Sequence, residues 1–171
     1  MINPTAIPFL VPSFSSIHDD GMASDDLEGA DVILVGVSRA TKTPTCMYLA
    51  SRGIKAANVP LVPGAPLPAG LMNAHGPLVV GLVVDPTRLA KVRSARLQAL
   101  QQDTSTDYTD ADALRKEVLE ARRLFIRRAW PVIDVTHRSI EQAASMIIDK
   151  LKARVGEASS SGTPLDGKPV Q

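Results

Sequence analysis

The chain has 171 residues, enough for one domain and a tail. Apolar residues make up 44%, which suffices for a sizeable core, and the 22% of charged residues is ordinary for a globular protein. A net charge of +1 gives no field that would draw the chain to nucleic acid or to a membrane surface, and a single cysteine, Cys46, excludes an internal disulfide framework and suits a reducing cytoplasm.

In chain order, residues 1–30 read as loosely structured. Pro4, Pro8 and Pro12 interrupt any regular element, and Asp19-Asp20-Gly21 is a turn signal. The stretch from Ile2 to Ser16 lacks a basic start and is not read as a signal peptide. No apolar run approaches the roughly 18 residues of a spanning helix. Asp31 to Val35 is a short β-branched run ended by Gly36, the pattern of a buried strand. Lys42 to Arg52 reads as a helix, with Gly53 where a left-handed cap is wanted. Residues 55–60 form a short strand. The Pro- and Gly-rich stretch from Pro60 to Pro77 is a loop with at most short helical turns.

Leu78 to Val84 is a second apolar strand, and Asp85-Pro86 is a helix start with Asp as cap and Pro in the first turn. A helix follows to about Leu100, then a polar turn over 102–110. The next helix, about Ala111 to Arg128, places Leu114, Val118, Ala121 and Phe125 on one face. Pro131 to Val135 is a third apolar strand. Ser139 and Gln142 have the spacing of a capping box, and Ile140, Ala144, Ile147 and Leu151 stripe the last helix. From Gly156 the composition is that of a disordered tail. Strands apolar on both faces, alternating with amphipathic helices, imply a mainly parallel sheet covered on both sides. The expected class is α/β, a three-layer sandwich with a kinase-like phosphate-binding loop.

That loop is Gly36 to Thr43, between the first strand and the first helix. Its spacing follows G-x-x-x-x-G-K-[ST], with Thr41 in place of the second glycine. In such a loop the backbone of Gly36, Val37, Ser38, Arg39, Ala40, Thr41, Lys42 and Thr43 wraps a phosphate, and the helix end adds its own N–H groups. Lys42 reaches the β-phosphate, and the Thr43 hydroxyl ligates Mg²⁺. Thr41 serves if its backbone stays right-handed, because β-branched residues disfavour positive φ. The alternative is an ordinary strand–turn–helix that contains Lys-Thr. Asp85 caps the following helix and is also placed to hold Mg²⁺ through water; Asp134 carries the same ambiguity. Arg39, inside the loop, either stabilises charge on a transferring phosphoryl group or pairs with an acid. Arg88, Lys91, Arg93 and Arg96 on one helix, and Arg122, Arg123, Arg127 and Arg128 on another, read first as solvated faces and second as a docking face or a phosphate lid. Cys46 reads as a small buried residue.

His18-Asp19-Asp20-Gly21, Val32-Ile-Leu-Val-Gly-Val-Ser-Arg39, Lys42-Thr-Pro-Thr45, Ala56-Ala-Asn-Val-Pro60 and Trp130-Pro-Val-Ile-Asp-Val-Thr136 occur in this order. Together they closely resemble the C-terminal part of the pyruvate, phosphate dikinase regulatory proteins, over about residues 17–154. The resemblance implies an ADP-dependent protein serine/threonine kinase that inactivates the dikinase on an active-site threonine. It also implies a phosphorylase that removes the group with inorganic phosphate and releases pyrophosphate. Gly36 to Thr43 match the family's ADP site, a non-glycine at 41 included. Against this background His18, Asp19 and Asp20 are candidate bases for the threonine hydroxyl. Implied ligands are ADP, inorganic phosphate and Mg²⁺; the implied partner is the dikinase, with no nucleic acid or membrane and with room for a homo-oligomer. A sister group acts on phosphoenolpyruvate synthase, but Ala57-Asn-Val-Pro-Leu-Val-Pro-Gly64 looks like the dikinase branch. Other readings are a small-molecule kinase with a similar core and a non-catalytic nucleotide-binding module. Members carry a further region before the His-Asp-Asp-Gly motif, so the chain reads as a fragment or a shortened frame. The expected division is an unmatched N-terminus over 1–17, a nucleotide-binding domain over 18–154 and a disordered tail over 155–171.

Overall fold

A computed structural model describes residues 27–102 and 108–160. Strand β1 (Val32–Val37) leads into helix α1 (Lys42–Ala50) and strand β2 (Ala56–Leu61). After the five-residue helix α2 (Ala69–Asn73) come β3 (Leu78–Val83) and α3 (Pro86–Ala99). Helix α4 (Ala111–Arg127), the short β4 (Val132–Asp134) and α5 (Ile140–Ser160) complete the series.

The four strands form one sheet in the order β2-β1-β3-β4, and every pairing is parallel. Val32, Ile33, Leu34 and Val35 are each 0% exposed. Successive strand side chains point to opposite faces, so both faces of the sheet are covered. Helix α1 packs on β1, β2 and α5, while α4 packs on β1, β3 and α3. The expected α/β class and parallel sheet are observed. Pro60 fits because β2 is an edge strand, where a missing N–H breaks no central ladder.

Several local expectations have visible causes. Asp85 Oδ1 accepts from the N–H groups of Thr87 and Arg88 at 2.9 and 3.1 Å, and Pro86 sits in the first turn of α3. Ser139 and Gln142 close their capping box reciprocally, at 2.9 and 3.2 Å. Leu114, Val118, Ala121 and Phe125 are all buried on α4. Gly81 on β3 is needed for this helix to settle: a Cβ there would stand 2.4 Å from the Phe125 ring.

One boundary moves. Helix α5 continues past Gly156 to Ser160, where composition suggested a tail. A glycine inside a helix costs only about 1 kcal/mol relative to alanine, and the favourable neighbours Glu157 and Ala158 carry the helix on.

The strand order fixes where a site belongs. From β1 the chain moves to one side to make β2, then returns across β1 to β3 and β4. The direction reverses between β1 and β3. At such a point the connections leave the carboxyl ends of neighbouring strands in opposite directions and open a crevice. Gly36 pairs with Leu82, so the turn after β1 and the turn after β3 emerge side by side.

Candidate functional site

Gly36 and Val37 are the last residues of β1, residues 38–41 form the turn, and Lys42 and Thr43 open α1. A side chain at Gly36 has no room: its Cβ would come 2.7 Å from the Leu82 carbonyl oxygen of β3. Arg39 has φ 70° and Thr41 φ 56°, while Ala40 between them is not left-handed. Backbone of alternating hand is the kind that makes anion-binding nests of N–H groups. The expectation that Thr41 stays right-handed is therefore corrected. Thr41 occupies the left-handed conformation that a glycine takes without strain, and the turn holds it there. Thr45 Oγ1 and the Thr45 N–H both donate to the Thr41 carbonyl, at 2.7 and 3.2 Å.

Lys42 is 6% exposed, and its Nζ donates to the Val37 carbonyl at 2.8 Å. The ammonium is thereby folded into the turn rather than extended into solvent. Thr41 makes no side-chain cap bond, and the first turn of α1 carries no acidic residue. The positive end of the helix thus faces the turn without a local counter-charge. Arg39 is exposed beside it. Cys46 is 2% exposed and belongs to the core, as expected.

Two residues were not placed at the turn from sequence. Asn58, in the middle of β2 and 6% exposed, donates from Nδ2 to Thr43 Oγ1 at 3.1 Å. Its signal was legible, because an amide inside a buried parallel strand needs a partner. Arg93 is the larger surprise. Read as one of a solvated row on α3, it is 2% exposed and inside the protein. Its guanidinium makes a two-pronged pair with Glu117 of α4, at 2.9 and 2.7 Å. It also donates to the Tyr108 and Ser38 carbonyls, each at 3.2 Å. The clue lies in spacing: Arg93 follows the fully buried Leu89 by one helical turn. Its partners are far away in sequence, so the pattern does not reveal them.

On the other side of the crevice, Asp85 is exposed, with Oδ1 committed to its cap. Its own N–H donates to Thr136 Oγ1 at 2.8 Å, and that hydroxyl donates to Asp134 Oδ1 at 2.5 Å. Asp134 Oδ2 pairs with Arg122 at 3.2 Å, so the second candidate acid is tied on both oxygens. Partial burial raises the Asp134 pKa, but the hydroxyl and N–H of Thr136 and the charge of Arg122 outweigh it and hold the group below the usual carboxylate range.

The donor chemistry fits Mg²⁺. Thr43 offers a hydroxyl and Asp85 a carboxylate, both hard oxygen donors, and Mg²⁺ commonly takes one or two protein ligands beside phosphate oxygens and water. Among the described residues no cluster of three or more His, Cys, Asp or Glu forms a protein-only metal cage. His18, Asp19 and Asp20 lie outside the described residues. No helix among the described residues is long and apolar enough to cross a membrane.

A family model described as kinase/pyrophosphorylase matches residues 12–148. The chain is also similar to proteins that carry, provisionally, the name pyruvate, phosphate dikinase regulatory protein. The relative from Caulobacter vibrioides is 52% identical over 149 residues, which is 87% of this chain and 47% of the relative. That from Paramagnetospirillum magneticum is 55% identical over 135 residues, 79% of this chain and 43% of the relative. That from Rhodospirillum rubrum is 53% identical over 138 residues, 81% of this chain and 50% of the relative. The chain spans about half the length of the curated relatives it matches. A match that takes in both sides of the crevice, from the turn after β1 to the end of β4, shows that the chain belongs to the kinase/pyrophosphorylase family.

Proposed function

We propose that this chain carries the nucleotide site of a bifunctional regulator of pyruvate, phosphate dikinase. In one direction the β-phosphoryl group of ADP passes to an active-site threonine of the dikinase: the threonine oxygen bonds to phosphorus, the bond to AMP breaks, and the hydroxyl proton is released. In the other direction inorganic phosphate takes the group from the phosphothreonine and leaves as pyrophosphate, restoring the hydroxyl. The names of the relatives and the family description support this chemistry. The observation that carries the reading is the turn at residues 36–43. It has a strained backbone of alternating hand, an inward-folded Lys42 and an uncapped helix end at the switch point of a parallel sheet.

Phosphoryl transfer asks mainly for positioning and charge stabilisation. In this reading the backbone from Gly36 to Thr43 cradles the diphosphate. Lys42 leaves the Val37 carbonyl for the β-phosphate, and exposed Arg39 offsets charge on the group in flight. Thr43 and Asp85 would hold Mg²⁺, which when bound would supply positive charge to offset that of the phosphates. His18, Asp19 or Asp20 supplies the base for the threonine hydroxyl. The compartment is the cytoplasm.

The test is incubation with β-labelled ADP and the dikinase in each of its phosphorylation states, with phosphoenolpyruvate synthase as a parallel acceptor. Label on the dikinase threonine supports the proposal, and label on the synthase reassigns the target. Turnover of small acceptors without a protein partner identifies a small-molecule kinase. Tight ADP binding without transfer identifies a binding module.

A further inference from the structure

Arg93 has its charge partner in Glu117, and its terminal nitrogen also donates to the Ser38 carbonyl, while its buried Nε has no hydrogen-bond partner among the described residues. The guanidinium also lies over the Tyr108 ring, 4.4 Å from its centroid, and the Tyr108 hydroxyl shares a 3.2 Å hydrogen bond with Ser38 Oγ. Two groups from outside the turn thus grip Ser38, one on its carbonyl and one on its side chain. The peptide unit between Ser38 and Arg39 is trans, so its C=O and N–H point in opposite directions. With the carbonyl fixed on Arg93, the Arg39 N–H is turned away from Arg93. Rotation of this one peptide unit is the motion that would release Arg39 from its φ of 70°. The Arg93 bond opposes that rotation.

We infer that Arg93, assisted by Tyr108, is a positioning residue that holds the Ser38–Arg39 peptide in its phosphate-binding orientation. The inference rests on the reading of residues 36–43 as the phosphate site. It makes the α3–α4 pair part of the nucleotide site, although neither helix is continuous with the turn.

The test uses the whole chain with R93K, Y108F and K42A, and measures ADP and AMP affinities by calorimetry at a temperature where circular dichroism shows each variant folded. Lysine keeps the charge beside Glu117 but lacks the fork that reaches Glu117 and Ser38 together. R93K is expected to weaken ADP about tenfold while AMP weakens less, because the second phosphate depends most on the turn backbone. Y108F is expected to lower the ADP-to-AMP preference by about threefold, the size of one neutral hydrogen bond. Simple loss of stability would leave that ratio unchanged in folded protein. An unchanged ratio in R93K, beside lost ADP binding in K42A, overturns the role of Arg93 alone. Wild-type ADP affinity in K42A overturns the phosphate-site reading and this inference with it. Should R93K not fold, the ratio in Y108F decides.

Discussion

Thr41 shows how a single residue can conflict with its backbone. A left-handed conformation costs an L-residue about 1–2 kcal/mol. Glycine removes that strain but adds about 0.5–1 kcal/mol of chain entropy to be lost on folding. The Thr41 side chain makes no cap bond that glycine would forfeit. T41G is therefore expected to stabilise the protein by about 0.5–1 kcal/mol, read as a rise in thermal midpoint. A lower midpoint would mean that the hydroxyl has a partner that matters. At Arg39 the comparable strain of about 1–3 kcal/mol is opposed by a charge-assisted bond from Arg93 of the same order, about 1.5–3 kcal/mol. The turn between β1 and α1 was legible from the spacing of Gly36 and Lys42, because that spacing encodes a local chain reversal. The hand of Thr41 was not: residue type alone argues against it, and the turn overrides that preference.

Among the elements, β3 and α4 meet at a contact that allows no extra atom. G81A would drive a methyl group into Phe125, which is fully buried, and is expected to cost about 1–3 kcal/mol in chemical denaturation. Shortening the ring in the double variant G81A/F125L should recover part of the loss, and simple additivity of the two changes would sink this account. At the end of β4, Asp134 has a lowered pKa, so its charged form is favoured in the folded state. Its contribution is present above the ordinary carboxylate pKa near 3.8 and is lost as pH falls through the lower folded value. D134N should thus lower the thermal midpoint at neutral pH, and the gap to wild type should close in acid. The elements themselves were largely readable. The buried face of α4, the Asp85 cap and the Ser139–Gln142 box are repeats and pairs within a few residues. The end of α5 was not, because a single glycine late in a helix looks the same in sequence as the start of a tail.

For the whole molecule, a ligand that binds only the folded chain stabilises it by mass action. At ADP concentrations 100 times the dissociation constant the gain is about 2.7 kcal/mol, and K42A should abolish it while folding normally without nucleotide. A midpoint shift with ADP that survives K42A would move the site elsewhere. By itself the sequence determined the α/β class, the parallel strands, the helix starts and the position of the turn between β1 and α1, since each depends on periodicity or spacing within one or two turns of chain. Only the tertiary structure decided what surrounds that turn. The strand order β2-β1-β3-β4 sets it beside Asp85, Asn58 reaches Thr43 from β2, and Arg93 reaches Ser38 across 55 positions. Those contacts join segments distant in sequence, and their partners are chosen by packing rather than by local pattern. The spacing of glycine, lysine and threonine is, in three dimensions, a strained backbone braced at Ser38 by Arg93 of α3 and by Tyr108, which precedes α4.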